Sequence, residues 1–483
     1  MACALASVAA QAAFSAPTSS SLADANRRGA WSETLKIFDA LRAAEPAAET
    51  RAFVEAIKAH GQLDDAEGAL DVLRDLQRLR SPGLLATTAA IRACATRSHW
   101  PVALSLLGEL QADGGAPDVA AYNAALTACE RGGQYHEAEL LLREMREHGP
   151  PPDAVTFNTC ITAAARASQW ERALRLLSLM EADPSVRPDA FSYSAAISAC
   201  SRRPEAALDL LQRMEAAGVA PTTVIYNAAI RACATASHWP IALSLFAELQ
   251  DAAADGGAAG GGGGGGAALR PDVVSYNAAL AACERGGEWH EAELLLREMR
   301  EGRGPPPDAV SYHTAIAACR RPPPGAAGRR AARAAVGALR GMMAAGLRPS
   351  LFGFTGALSA CSRAQKWRAA LAVFARLEAA GRAGGVRPDT IAANGALAAC
   401  AGGGRWEDAL ALLGRMERAE LGVNAKADRA SLEIAARACA AGGEGARAAE
   451  LRTRAAAMPE PPSRGRGRGG GRARGRGRGR GRA

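Results

Sequence analysis

Eleven cysteines and seven histidines are the side chains with the widest chemical reach in this 483-residue chain. Paired as CxxC or HxxxH they would hold a metal or a disulfide, but neither spacing occurs. Instead Cys94, Cys129, Cys200, Cys233, Cys283, Cys319, Cys361, Cys400 and Cys439 each stand six residues after one recurring position, polar in every case. A cysteine fixed at one place of a repeated helix is a small apolar packing residue, and a reducing compartment suits that use. His136-Glu137 and His290-Glu291 are adjacent pairs within a repeated helical segment. The acids fall on solvent-side helix faces or at a repeat-ending Asp, not in the clustered loops a nuclease needs. No catalytic set and no cofactor is expected, which leaves recognition through hydrogen bonds and charge.

The elements that position such recognition are helical. Apolar residues make up 48% of the chain but aromatics only 5%, so the core is built mainly from Ala and Leu, which lose little side-chain freedom in a helix. The formal net charge is +9, and residues 463–483 (SRGRGRGGGRARGRGRGRGRA) carry nine Arg and no acid. The rest of the chain is therefore neutral, and the basic balance belongs to a tail.

Pairs such as Tyr122-Asn123, Phe157-Asn158, Tyr226-Asn227 and Tyr276-Asn277 set the register of an internal repeat of about 35 residues. Nine repeats begin at 84, 119, 154, 190, 223, 273, 309, 351 and 390 and run to 428. Within one repeat Tyr122, Ala125, Leu126 and Cys129 share a helical face; Tyr135, Ala138, Leu142 and Met145 do the same after the Gly132-Gly133 break. Trp100, Trp170, Trp239, Trp289, Trp367 and Trp406 all occupy the seventeenth place, and Pro-Asp steps such as Pro117-Asp118 and Pro152-Asp153 mark boundaries. One such helix hairpin cannot bury its own apolar stripe, so the repeats must stack. Degenerate or unfinished units are expected at 26–83 and 429–458, completing a repeat domain over 26–458. A Gly-rich insertion at 252–269 lies at a repeat boundary, where it forms a surface bulge.

The pattern VVSYNAALAACERGGEWHEAELLLREM followed by PPPD resembles the pentatricopeptide repeat (PPR) family, in its pure-repeat class. The resemblance implies an all-α, right-handed α-solenoid superhelix of stacked helix-turn-helix repeats. It also implies binding of single-stranded RNA, one base per repeat, through the fifth and last residues. Carried over, the pairs are Thr88/Asp118, Asn123/Asp153, Asn158/Asp189, Ser194/Thr222, Asn227/Asp272, Asn277/Asp308, His313/Ser350, Thr355/Asp389 and Asn394/Asp428, with Asn424 a competitor for Asp428. Asn offers a donor and an acceptor and Asp only acceptors, so a pair can match the Watson–Crick edge of an unstacked base. The second place would sandwich the base with Leu85, Val155, Phe191, Val224, Val274, Val310, Phe352 and Ile391. The thirteenth would meet phosphates with Arg131, Arg166, Arg202, Arg285, Arg321 and Arg363. The implied target is U-rich, G-U-U-x-U-U-x-G-U, where the unread letters fall to Ser194/Thr222 and His313/Ser350. The irregular repeat containing RRPPPGAAGRRAARAA is expected to skip its base.

The function implied is organellar RNA stability, processing or translation by occupation rather than catalysis. The zinc deaminase pattern of editing members, HxE with CxxC, is missing. The alternative is a helical scaffold for protein partners, and protein partners on the outer face are compatible with both. The Arg-Gly-rich tail, 459–483, would stay disordered and bring sequence-independent charge to RNA. Residues 1–25, rich in Ala and Ser with AAFSAP near Phe14, read as a presequence or a disordered start: plastid, or alternatively mitochondrion. No run of 18 apolar residues occurs, so no membrane span is expected.

Overall fold

The computed structural model describes residues 19–44, 49–95, 99–256, 269–320, 325–421 and 424–458. These form 24 α-helices in consecutive pairs, with no strand among the described residues. The chain packs as two compact bodies, residues 1–282 and 283–483, divided inside helix Val273–Gly286. Within each body the first helix of a pair packs on its own second helix and on the first helices of neighbouring pairs, as Ala154–Arg166 does on Val119–Gly132 and Ala190–Ala199.

The repeat register sets the helix ends. First helices begin at Val119, Ala154, Ala190, Thr223, Val273, Ala309, Leu351 and Thr390, the residues on which repeats start; the 84 repeat opens one residue early, at Gly83. Asp118, Asp153, Asp189, Asp308, Asp389 and Asp428 each accept the N3 amide of the helix that follows, an N-cap worth about 1 kcal/mol. Second helices begin on the tryptophan at Trp100, Trp170, Trp239, Trp289, Trp367 and Trp406. Each of these indoles is half-buried. Where a glycine stands in the next repeat the indole lies against it: a Cβ on Gly132 would come within 2.6 Å of Trp100, and one on Gly442 within 2.1 Å of Trp406. Elsewhere an arginine covers the ring, as Arg203 does Trp170 with its guanidinium carbon 5.0 Å from the ring centroid.

Fourth-place aromatics Tyr122, Phe157, Tyr193, Tyr276, Tyr312 and Phe354 are fully buried, and the cysteine column lies beside them in the core. Burial pushes the Cys94 thiol up to about 11 and the Cys129 thiol up to about 12, so these sulfurs stay protonated packing groups.

Residues 1–25 are expected as a presequence or a disordered start; of these 19–25 belong to the helix Ser19–Arg27, which packs on the two helices after it with Leu22 and Ala25 fully buried, and residues 1–18 lie outside the described residues. The packed domain thus starts before residue 26. Residues 429–458, expected as a degenerate or unfinished unit, form the helix pair Arg429–Ala441 and Gly445–Ala457. Helix Trp239–Gly256 extends into the Gly-rich insertion; residues 257–268 and the tail 459–483 lie outside the described residues.

Candidate nucleic-acid interface

Each first helix leaves one stripe partly unburied. In Ala154–Arg166 it runs from exposed Val155 past the buried Asn158 and the half-buried Thr162 to exposed Arg166, residues that share a face because eleven positions make about three turns. The stripe is apolar at its N-terminal end, polar one turn on, and basic at its C-terminal end. Every second-place residue assigned to base sandwiching is exposed, from 46% at Phe352 to 74% at Leu85, with Val155, Phe191, Val224, Val274, Val310 and Ile391 between. A large apolar residue kept out of the core at the same place of eight repeats is a patterned surface, not incidental exposure.

Beside that column the fifth and last residues meet. Nδ2 of Asn123 donates to Oδ1 of Asp153 at 3.2 Å, Asn158 to Asp189 at 3.4 Å, Asn227 to Asp272 at 3.1 Å and Asn394 to Asp428 at 3.1 Å. The same carboxylates cap the next helix, so their positions are fixed by backbone before they meet the amide. A third group completes the arrangement at three of these four pairs, Asn227 lacking it. Oγ1 of Thr156 donates to Oδ1 of Asn123 at 2.8 Å, and Oγ of Ser192 to Asn158 and of Ser431 to Asn394 at 2.6 Å. With Asp able only to accept and the hydroxyl donating, the amide has one consistent orientation. Sequence reasoning missed these third-place hydroxyls; the signal was available, since D-x-x-S/T before an apolar run is a capping-box signature.

The carboxyls of Asp153, Asp189, Asp272 and Asp428 titrate below the ordinary aspartate value. Burial acts to raise them, and is outweighed by the helix amide, the Ser or Thr hydroxyl and the Asn amide that all stabilise the charged form.

Other pairs are built differently. Thr88 is buried with no partner for its hydroxyl, and Thr355 donates to the carbonyl of Phe352 in its own helix rather than to Asp389. Ser194 is half-buried, and Thr222 starts the next helix without a side-chain cap. Asn277 lies in the first body and Asp308 in the second. His313 meets Ser350, with Nε2 and Oγ 3.1 Å apart.

The arginine column is mixed. Arg131 donates to the carbonyl of Ala95 at 2.8 Å and Arg166 pairs with Glu130 at 3.2 Å, so both tie a repeat to the one before it. Arg202, Arg285 and Arg363 are exposed, and Arg321 lies outside the described residues.

Profiles of the PPR repeat family match residues 117–166, 152–202 and 271–321, and profiles of the PPR repeat match 224–252 and 392–421. The chain belongs to the pentatricopeptide repeat family. The crystal structure of the pentatricopeptide repeat protein PPR10 from maize matches with a TM-score of 0.56 at 21% identity, over 94% of this chain and 65% of that one. This PPR chain thus spans about two thirds of the maize protein's length, and the likeness establishes the helical-repeat solenoid fold. PPR10 in complex with an 18-nt psaJ RNA element matches at a TM-score of 0.40 and 22% identity, over 89% and 57% of the two chains. No curated protein sequence matches this PPR chain.

Proposed function

We propose that this PPR protein binds single-stranded RNA in register, one base to a repeat, and acts in an organelle by occupying its site on a transcript. The observation that carries the reading is the exposed second-place column standing beside the Asn–Asp pairs of neighbouring repeats. Apolar side chains at successive repeats offer faces between which an unstacked base can be held. The polar pair then meets its edge. An Asn amide has two N–H donors and two acceptor lone pairs; at Asn123, Asn158 and Asn394 one of each is used by Asp and by Ser or Thr, so one of each remains. Uracil presents a ring N–H donor flanked by carbonyl acceptors, which complements that remainder. The favoured target is G-U-U-x-U-U-x-G-U, its G letters carried by Thr88 with Asp118 and Thr355 with Asp389.

Phosphate contacts fall to the exposed Arg202, Arg285 and Arg363, eight places after the fifth residue of their repeats. The nine-arginine tail adds affinity without sequence choice, and its removal should flatten the salt dependence of binding. The test is fluorescence anisotropy with this oligoribonucleotide and its complement at physiological salt. Tighter binding of the target supports the reading, and equal binding overturns it.

A further inference from the structure

Resting on that reading, we infer that His313 selects a base whose Watson–Crick edge carries an unprotonated ring nitrogen, adenine or cytosine, at the seventh place of the target. In the Asn–Asp pairs the fifth residue donates and the last accepts. At His313 the polarity is reversed: the backbone N–H of Ser350 donates to Nε2 at 3.3 Å, with Ser350 Oγ 3.1 Å from the same nitrogen. A ring nitrogen that accepts an N–H carries no proton, so the neutral imidazole holds its proton on Nδ1. Burial, opposed by the nearby Asp308 charge, holds His313 below the ordinary histidine range and keeps it neutral. Nδ1 has no partner among the described residues. The imidazole therefore offers its base one donor and no acceptor.

Two neighbours show that the imidazole is housed, not tolerated. The third place of the next repeat, which after each fifth-place Asn is a hydroxyl residue (Thr156, Ser192, Ser275, Ser311 or Ser431), is here Gly353. A Cβ at Gly353 would lie 2.9 Å from Cδ2 and 3.1 Å from Nε2 of His313, so glycine makes the room that a ring needs and an amide does not. The second-place Phe352 stands edge-on to the imidazole, centroids 6.4 Å apart, and Arg320 lies over its ring at 5.5 Å. An apolar wall for the base thus stands on the repeat that follows the one whose irregular second half suggested that it reads nothing.

The chemistry separates the four bases. Adenine N1 and cytosine N3 accept from Nδ1–H. At that point of the edge uracil N3–H and guanine N1–H set donor against donor; a flanking carbonyl can take Nδ1–H only by leaving the ring N–H unmatched, which costs on the order of ten-fold in affinity.

Four oligoribonucleotides, identical except for A, C, G or U at the seventh place, test this by anisotropy against the full chain. A and C should bind roughly ten-fold tighter than U and G, and the two favoured arms show which ring is preferred. The triple variant His313→Asn, Ser350→Asp, Gly353→Ser restores the arrangement of Asn158, Asp189 and Ser192 and should switch the preference to U. Gly353→Ala, which removes no hydrogen-bonding group, should narrow the discrimination by crowding the ring. Circular dichroism of each variant confirms folding. Equal binding of all four bases at the seventh place, while the ninth place facing Asn394 still discriminates, overturns the assignment of His313 and leaves RNA reading standing. Equal binding of target and complement overturns both.

Discussion

Asn394 donates its amide to Asp428, 34 residues on in sequence, at 3.1 Å, although Asn424 competes for the same role by position. The choice follows from capping. Asp428 accepts the amide of Ser431 at 2.8 Å and so opens helix Arg429–Ala441, whereas Asn424 is engaged through its carbonyl with the amide and hydroxyl of Thr390. Replacing Asp428 by Ala removes the cap and the amide's acceptor together. We expect a loss of about 1–2 kcal/mol in urea unfolding, with Asn424→Ala close to neutral for its side chain. The reverse order of effects would assign the pair wrongly.

The third-place hydroxyls orient the reading amides without facing solvent. Oγ of Ser192 bridges Asn158 Oδ1 at 2.6 Å and Asp189 Oδ1 at 2.9 Å, and is fully buried. Ser192→Ala should cost roughly 1–3 kcal/mol, because it leaves buried acceptors unmatched. It should also reduce discrimination between U and other bases at the third letter while Asn123 and Asn394 keep theirs. Oligonucleotides substituted at single letters measure both effects; unchanged selectivity at the third letter would confine Ser192 to helix capping.

The capping aspartates make acid stability depend on this same network. Asp153, Asp189, Asp272 and Asp428 titrate below their ordinary value of 3.8 in the folded chain. A depressed folded pKa contributes stability that is fully present above the unfolded value and is lost as pH falls through the folded one. Thermal midpoints should therefore drop as pH is taken below about 4, and the slope should be shallower when all four are Asn. An equal slope in that variant would show that other carboxyls govern acid unfolding.

Helix starts were legible because the signals are local: Asp before the first turn, Trp opening the second helix, Pro before the boundary. The exposure of the second-place column was legible too, since a large apolar residue recurring two places after a cap stands outside the core period. Gly132 looked like a helix break alone, but a non-local contact also holds it, as one holds Gly442, the indole of the preceding repeat lying where a Cβ would go. Arg131 and Arg166 were hidden for the same reason: their partners, Ala95 and Glu130, lie 36 residues back, one repeat away. The N-terminal helix Ser19–Arg27 was obscured by its polar composition, and only packing of Leu22 and Ala25 reveals it.

The turn between paired helices carries a further, correctable strain. Its fifteenth-place residue is left-handed in repeat after repeat: Gly133, Gly287, Gly404 and Gly443 supply it freely, whereas Ser168 (φ 57°), Ser237 (φ 64°) and Gln365 (φ 54°) hold the same conformation with a Cβ. An L residue in that region costs about 1–2 kcal/mol, part of which glycine's greater unfolded-state freedom offsets. Ser168 and Ser237 are exposed, so Ser168→Gly and Ser237→Gly should each stabilise the chain by about 0.5–1 kcal/mol in urea unfolding. Gln365→Gly should gain less. A Cβ on Gly402 would lie 3.2 Å from Gln365 Cγ, so the glutamine stem already packs against the next repeat and its removal forfeits that contact. A larger gain at Gln365 than at the two serines would mean that backbone strain, not packing, dominates this turn.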